Sequence, residues 1–263
     1  MATFNKRGYK APKEKAEKVD NNYIEDVNVD EKDSTTAKAF DTLDQTASRA
    51  EDFVAKNQKY ILGFLTVVAL ATVSYLLYQK FIAEPKQETA ANELFVSQQN
   101  FQKAVDDATG TKSDSLYNLV LKGSEGKFGV VKIADEYAGT DAGNLANYYA
   151  GVAYLNTKKY AEAISSFEKF KSKDVMLSTL ALGATGDAYA QQNKQKEALD
   201  FYIKAADANK NDFTRPRYLL KAGKTSLALG DKASAIKYFT DIKDNFDASP
   251  EAQNIDALIG LAQ

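Results

Sequence analysis

An uncharged run of twenty residues, YILGFLTVVALATVSYLLYQ from Tyr60 to Gln79, constrains this chain more than any other feature of its sequence. Twenty helical residues rise about 30 Å, which is the thickness of the hydrocarbon core of a bilayer. Lys59 and Lys80 flank the run, and aromatic residues, which favour the membrane interface, lie near its ends at Tyr60, Tyr75, Tyr78 and Phe81. The run predicts one transmembrane helix over residues 60–79. A buried core helix is the alternative, but no other segment is apolar enough to enclose it.

The charges around this span indicate its orientation. The flanking segments differ little, with three basic residues from Phe40 to Lys59 and two from Lys80 to Gln99. The N-terminus adds a basic cluster, and basic segments are retained in the cytoplasm. We therefore expect a single-pass membrane protein with its N-terminus in the cytoplasm and residues 80–263 translocated across the membrane. A cleaved signal peptide is a poor alternative because the run begins only at residue 60.

The segment before the span has two parts. Residues 1–35 are polar and predict a disordered tail, since they offer little apolar surface to bury. Residues 36–59 predict an amphipathic juxtamembrane helix, with N-cap candidates at Asp33, Ser34, Thr35 and Thr36. Apolar or uncharged residues recur there at spacings of three and four, at Phe40, Leu43, Ala47, Ala50, Val54, Asn57 and Ile61. This stripe could lie on the bilayer, against its own copy, or against a membrane-embedded partner, with Phe40, Leu43, Val54 and Ile61 as the contact residues.

The C-terminal half contains a repeat. Three glycines, Gly151, Gly186 and Gly223, are each followed by Ala twelve residues later and by an aromatic residue sixteen residues later. Small residues on facing helices allow close antiparallel packing, and we expect the aromatic residue to fill the space between adjacent helix pairs. The pattern resembles a tetratricopeptide array with repeats at about 144–177, 179–212 and 216–249. The family's early Trp is replaced by Asn147, Leu182 and Leu219.

This resemblance implies an all-α fold, in which the transmembrane helix is followed by a tetratricopeptide-like α-solenoid of antiparallel helix pairs over residues 80–263. Glu88 to Asp107 and Lys127 to Tyr137 are interpreted as the helices of a degenerate first repeat. The stretch from Gly110 to Gly126 between them is polar and rich in Gly and Ser, and predicts a loop around a short apolar core at Leu116 to Leu121. A capping helix is expected to begin at Pro250.

The same resemblance implies a concave surface, lined by the first helix of each repeat, that receives a peptide. The family's groove positions fall on Tyr148, Val152, Asn156, Asp187, Gln191, Arg217 and Lys224. Two of them, Tyr148 and Val152, could equally pack between repeats, and the polar ones could be solvated side chains.

The composition argues against catalysis and against nucleic-acid binding. The chain has no Cys, so no thiolate nucleophile or sulfur metal ligand is available, and no His, which removes the commonest general base and the commonest zinc ligand. Asp106 with Asp107, and Asp135 with Glu136, are adjacent on a helix and point apart. The stretch KGSEGKFG lacks the setting of a phosphate loop. The net charge of −2 indicates no nucleic-acid footprint, and no cofactor or metal is expected.

The whole layout resembles the YfgM-type ancillary subunit of the bacterial Sec translocon. The resemblance rests on FVAKNQKYILGF, residues Phe53 to Phe64, and on ADEYAGTDAGNLANYYAG, residues Ala134 to Gly151. It implies a non-catalytic adaptor that associates with SecYEG channel subunits and with a membrane-anchored periplasmic chaperone of the peptidyl-prolyl isomerase type, and that assists emerging exported chains. Two alternatives stay open, namely a scaffold of the cell-envelope or division machinery and a cytoplasm-facing adaptor with inverted topology.

Overall fold

The computed structural model describes residues 35–107, 110 and 112–263. The disordered tail predicted for residues 1–35 and the N-cap candidates Asp33 and Ser34 therefore lie outside the described residues, apart from Thr35 itself. The chain divides into two compact units, residues 1–72 and residues 73–263. Each unit is described by itself.

The first unit consists, in its described part, of one helix, α1 (Thr35–Tyr78), which extends a few residues beyond the unit boundary. Its polar side chains bond back along the same helix, as when Thr46 Oγ1 donates to the carbonyl of Thr42 and Asn57 Nδ2 donates to that of Phe53. The apolar segment is long enough to cross a membrane, and none of it is buried. Within the described residues it is the one helix with that length and composition.

In the described residues of the second unit, all regular secondary structure is helical. A short π-helical segment, Gln79–Ala83, follows α1. The α-helices are then α2 (Glu84–Asp106), α3 (Ser113–Lys122), α4 (Val130–Glu136), α5 (Asp141–Asn156), α6 (Tyr160–Lys169), α7 (Val175–Gln191), α8 (Gln195–Ala208), α9 (Thr214–Ala228), α10 (Lys232–Asn245) and α11 (Ile255–Ala262).

Three helix pairs, α5 with α6, α7 with α8 and α9 with α10, stack in sequence order. The repeat glycines explain the close approach within each pair. A Cβ atom built on Gly151 would lie 2.6 Å from the ring of Phe167, and one on Gly223 would lie 2.3 Å from the ring of Phe239. Gly186 has the same relation to Tyr202 at 2.7 Å. The ring therefore packs on the glycine of its own pair, and Phe167 also belongs to a cluster with Ala181 and Ala188 of the following pair.

The turn within each pair has the same backbone geometry. The residue seven positions after each repeat glycine has a positive φ, which is 62° at Lys158, 59° at Asn193 and 80° at Gly230. The following amide then donates back to the last turn of the first helix, from Lys159, Lys194 and Asp231 to the carbonyls of Tyr154, Tyr189 and Ser226. Such left-handed residues are a usual way to end a helix. Three equivalent turns thus redirect the chain in the three pairs.

The region before the repeats contains one more helix than we predicted. The predicted loop from Gly110 to Gly126 is wrong, because α3 occupies Ser113–Lys122. Tyr117, Val120 and Leu121 are buried on one side of this helix, where they join the core formed by α2, α4 and α5. Burial of this apolar face outweighs the polar composition of the surrounding stretch.

The glycine-rich stretch after α3 is a structural connection. Gly123 has a φ of 94°, and a Cβ atom there would lie 2.2 Å from the carbonyl oxygen of Lys127. The Glu93 carboxylate on α2 accepts hydrogen bonds from Lys127 Nζ at 2.8 Å and from the Phe128 amide at 3.1 Å. These two bonds, of which the one from Lys127 has the larger effect, hold the pKa of Glu93 below its ordinary value. The connection is therefore fixed to α2.

The C-terminal cap differs in detail from the expectation. Pro250 begins a 3-10 helix, Pro250–Ala252, and α11 starts only at Ile255, after Asn254 with a φ of 63°. The left-handed Asn254 separates the two helices. In the described residues, the fold class predicted from the sequence is confirmed: the chain is all-α, with a long apolar helix followed by tetratricopeptide-like helical repeats.

Candidate partner-binding site

The first helices of the three pairs, α5, α7 and α9, lie next to one another, with α7 in contact with both of the others. We call their combined surface the first-helix face. It carries all seven groove positions predicted from the sequence, which are Tyr148, Val152, Asn156, Asp187, Gln191, Arg217 and Lys224.

Two of these residues, Tyr148 and Val152 on α5, pack against neighbouring side chains. The Tyr148 ring centroid lies 5.3 Å from that of Phe170 and 6.1 Å from that of Phe167. Burial raises the pKa of the Tyr148 hydroxyl. Val152 is half-buried against the same apolar cluster. Both side chains therefore contribute to the core, and only part of each is available to a partner.

Asn156 and Gln191 are exposed at the C-terminal ends of their helices. The Asn156 amide donates to the carbonyl of Val152 at 2.8 Å, which is a local bond along α5. Gln191 Oε1 accepts a long hydrogen bond of 3.4 Å from the hydroxyl of Tyr160 on α6. These weak and local contacts leave both amides accessible.

Asp187 is the centre of a polar cluster that links two repeats. Its carboxylate accepts hydrogen bonds from Lys221 Nζ on α9 at 2.6 and 2.7 Å and from the Tyr202 hydroxyl on α8 at 2.8 Å. Lys221 Nζ also lies 5.5 Å from the Tyr202 ring centroid and 5.9 Å from that of Tyr218. Asp187 thus pairs within the chain. Sequence reasoning identified Asp187 as a groove position and Tyr202 only as the repeat's aromatic residue, and it missed Lys221 and Tyr218.

The pKa values of the two tyrosine hydroxyls in this cluster, Tyr202 and Tyr218, are both raised. Burial, together with the nearby Asp187 charge, raises the pKa of Tyr202 well above its ordinary value. Burial raises the pKa of Tyr218 to about 12. Both hydroxyls therefore stay protonated at neutral pH and serve as hydrogen-bonding groups.

Gly183 on α7 determines how closely the neighbouring repeat packs. A Cβ atom on Gly183 would lie 2.0 Å from Cε1 of Tyr218, so the ring of α9 lies directly on the backbone of α7. Gly183 precedes the repeat glycine Gly186 by three residues and shares its side of the helix. That spacing was visible in the sequence, but nothing local connected it with Tyr218, which is 35 residues away.

The first-helix face is basic along α9. This helix contains Arg215, Arg217, Lys221 and Lys224 and no acidic residue. Arg215 pairs with Asp207 at 3.2 Å and Asp241 at 3.0 Å, and Lys221 pairs with Asp187. Arg217 and Lys224 are exposed, and the Arg217 guanidinium lies 5.8 Å from the ring centroid of Phe213. These two cations leave this part of the face positively charged.

The predicted membrane-partner residues lie on α1. Phe40, Leu43 and Val54 are between half and two-thirds exposed, and Ile61 is half-buried by its own helix neighbours. Outside the span, an exposed apolar stripe of this kind usually marks a contact surface.

The described residues show no arrangement suited to catalysis. They contain no group of three or more acidic side chains placed to bind a metal ion. Of the carboxylate pairs considered from the sequence, Glu136 forms a local ion pair with Lys132 at 3.5 Å, while Asp135 lines a separate groove beside Glu162 and Lys169. The two carboxylates are therefore directed to different surroundings.

Comparison with protein families agrees with this geometry. Residues 145–174 and 217–249 match the family described as tetratricopeptide repeat. The first segment covers most of α5 and all of α6, and the second covers most of α9 and all of α10. The middle pair, α7 and α8, lies outside both matches but has the same glycine contact and the same turn.

None of the curated proteins and none of the solved structures matches the chain. Tetratricopeptide repeats are typically non-catalytic scaffolds that bind other proteins. The chain therefore carries tetratricopeptide repeats that indicate a protein–protein interaction adaptor.

Proposed function

We propose that this protein is a non-catalytic, membrane-anchored adaptor of the bacterial protein-export machinery. Its span would associate with SecYEG channel subunits, and its array would bind a membrane-anchored periplasmic chaperone of the peptidyl-prolyl isomerase type and assist emerging chains. The observation that carries the adaptor role is the first-helix face, where repeats with matched geometry present exposed polar and basic groups. The specific export role depends on the resemblance of the layout to the YfgM-type subunit.

The proposed organisation follows the sequence boundaries. Residues 60–79 cross the inner membrane, residues 1–59 lie in the cytoplasm, and residues 80–263 form the periplasmic array. The stripe formed by Phe40, Leu43, Val54 and Ile61 contacts a membrane-embedded partner, and the exposure of the first three on α1 supports that role.

On the array, the residues that carry partner binding are Asn156, Gln191, Arg217 and Lys224, which are accessible, together with the exposed edges of Tyr148, Val152 and Asp187. Arg217 and Lys224 form no ion pair with another described residue, so their charges favour a partner surface with acidic groups and give an association that weakens as salt rises.

A topology experiment tests the proposed membrane arrangement. Protease added to intact spheroplasts is expected to degrade residues 80–263 and to spare an epitope placed at the N-terminus. Protection of the C-terminal part with loss of the N-terminal epitope would refute the export role and support the inverted adaptor.

A second experiment separates the two proposed binding surfaces. A chain ending near Pro85 should still co-purify with channel subunits in mild detergent, because the span remains. Arg217→Glu combined with Lys224→Glu should weaken recovery of the periplasmic chaperone and leave channel recovery unchanged. The matched control is Lys232→Glu with Lys237→Glu on α10, which reverses the same number of charges outside the first-helix face. Recovery of peptidoglycan or outer-membrane machinery in place of channel subunits would favour the envelope scaffold.

A further inference from the structure

The stripe on α1 continues without interruption into the span. Its seven positions, Phe40, Leu43, Ala47, Ala50, Val54, Asn57 and Ile61, alternate by three and four residues over three complete heptads. A spacing that averages 3.5 residues keeps one face of a helix directed at a neighbouring helix. In the described residues α1 packs against no other helix along this stretch, so no other described helix covers this stripe, which we call the seam.

The continuity of α1 argues against the bilayer surface as the cover for this seam. A helix that lies in the interface must bend sharply where the span begins, because the span crosses the bilayer. The helix contains no proline from Thr35 to Tyr78 and has no break near Tyr60. The segment before the span therefore leaves the membrane in the direction of the span, and its apolar residues face water unless another helix covers them.

We infer that the cover is a second copy of this chain, and that two α1 helices form a parallel, in-register coiled coil. This inference rests on the proposed role of the stripe as a contact for a membrane-embedded partner, and it names that partner. Two copies inserted with the same topology are necessarily parallel, and the identical seams then meet residue by residue. The rest of the span surface stays available for channel subunits.

The side chains that flank the seam favour the parallel arrangement. Asp44 and Glu51 flank it on one side, and uncharged residues, including Thr46 and Phe53, flank it on the other. In a parallel pair, opposite flanks of the two helices meet, so the acidic residues face uncharged ones. In an antiparallel pair, the same flank of each helix meets its counterpart, so the acidic residues of the two helices approach and repel each other.

Asn57, the polar residue of the seam, also favours the parallel arrangement. Asn57 carries both a donor and an acceptor and is half-buried on the monomer, where its amide bonds to the Phe53 carbonyl. In an in-register parallel pair Asn57 meets Asn57, and the two amides can pair. A shifted or antiparallel pair places this amide against apolar side chains, which costs free energy. Ala47 and Ala50 allow the two backbones to approach closely at the middle of the seam.

Cysteine cross-linking in native membranes tests this inference directly, because the chain has no cysteine of its own. Leu43→Cys, Ala47→Cys and Ala50→Cys in the full chain should each give a disulfide-linked species of twice the chain mass under mild oxidation. Gln45→Cys and Ser48→Cys, on other sides of the same helix turns, are matched controls and should stay monomeric. Adding Val54→Glu to Ala47→Cys should abolish the cross-link, whereas adding Gln45→Glu should preserve it.

The outcomes are distinguishable. Cross-linking at Ala50 but not at Leu43 indicates an antiparallel pair and overturns the parallel arrangement. Cross-linking without any difference between seam and control positions, or none at all, overturns the dimer. If seam cysteines lead to a mass increase that corresponds to a different membrane protein, the dimer is refuted while the proposed adaptor role is retained.

Discussion

Replacing Gly183 with Ala tests the contact that sets the spacing between the second and third repeats. The new Cβ atom would lie 2.0, 2.2 and 2.4 Å from Cε1, Cζ and the hydroxyl oxygen of Tyr218. Non-bonded carbon atoms are normally about 3.5 to 4.0 Å apart, so the ring would have to retreat by roughly 1.5 Å. Tyr218 is 4% exposed and lies beneath Lys221, so it has little room to retreat.

The expected net effect is a loss of stability. Overpacking of a tight contact costs about 1 to 3 kcal/mol. Alanine in a helix interior recovers at most about 1 kcal/mol relative to glycine. Since the ring is confined, we expect Gly183→Ala to lower the free energy of unfolding by about 2 kcal/mol, with the larger cost prevailing over the propensity gain.

The measurement is urea unfolding of the full chain in mild detergent, followed by far-UV circular dichroism. Gly260→Ala is the control, because it lies in α11 with no atom within 4 Å of the new Cβ. It should raise stability by about 0.5 to 1 kcal/mol. In a double-mutant cycle, Gly183→Ala should cost nothing once Tyr218→Ala has removed the ring. A Gly183→Ala variant as stable as the parent chain would refute the described packing of α7 against α9.

Four further predictions use the same unfolding assay. Lys158→Gly should stabilise the chain by about 1 kcal/mol, whereas Gly230→Ala at the equivalent turn should destabilise it by about as much, because only glycine adopts a positive φ without strain. Ala198→Leu should cost about 1 to 3 kcal/mol, since Ala198 is fully buried, and an unchanged midpoint would mean that the repeat register is wrong. Ser226→Ala should be neutral or stabilising, because its buried hydroxyl has no hydrogen-bond partner among the described residues, and a clear loss would show that the hydroxyl is bonded. Glu93→Gln should destabilise the chain at neutral pH. Because the pKa of Glu93 is lowered in the folded chain, its contribution to stability is complete above the unfolded pKa of about 4.3 and is lost as the pH falls through the folded value, so the difference in the free energy of unfolding from the parent should shrink in acid. A constant difference down to about pH 3 would contradict that linkage.

Much of the fold was predictable because its signals are local and periodic. The repeat glycines and their aromatic partners, such as Gly151 and Phe167, are sixteen residues apart, within one helix pair, so spacing alone identifies them. The long apolar run is likewise a property of adjacent residues. Helix α3 escaped prediction because its apolar face is short and its neighbours are rich in Gly and Ser, and only its burial against α2 and α5 reveals why it forms.

The candidate site was less predictable, since its interactions join distant parts of the chain. Asp187 and Lys221 are 34 residues apart, and each looks like an ordinary surface charge in the sequence. The turns show a related limit. Asn193 and Gly230 are residue types that often adopt a positive φ, but Lys158 is not, and its conformation is imposed by the helix pair around it. Tertiary packing decides these positions.

The unbroken helix α1 also acts as a fixed spacer. Phe40 precedes the first residue of the span by twenty positions. In the membrane arrangement proposed above, and at 1.5 Å per residue, its side chain stands about 30 Å from the membrane boundary, measured along the helix axis. A protein confined to the bilayer cannot reach it. A protein that contacts the outer end of the stripe must therefore project an equal distance from the membrane or, like a second α1, run alongside the whole helix. The length of this helix thus restricts which proteins can bind there.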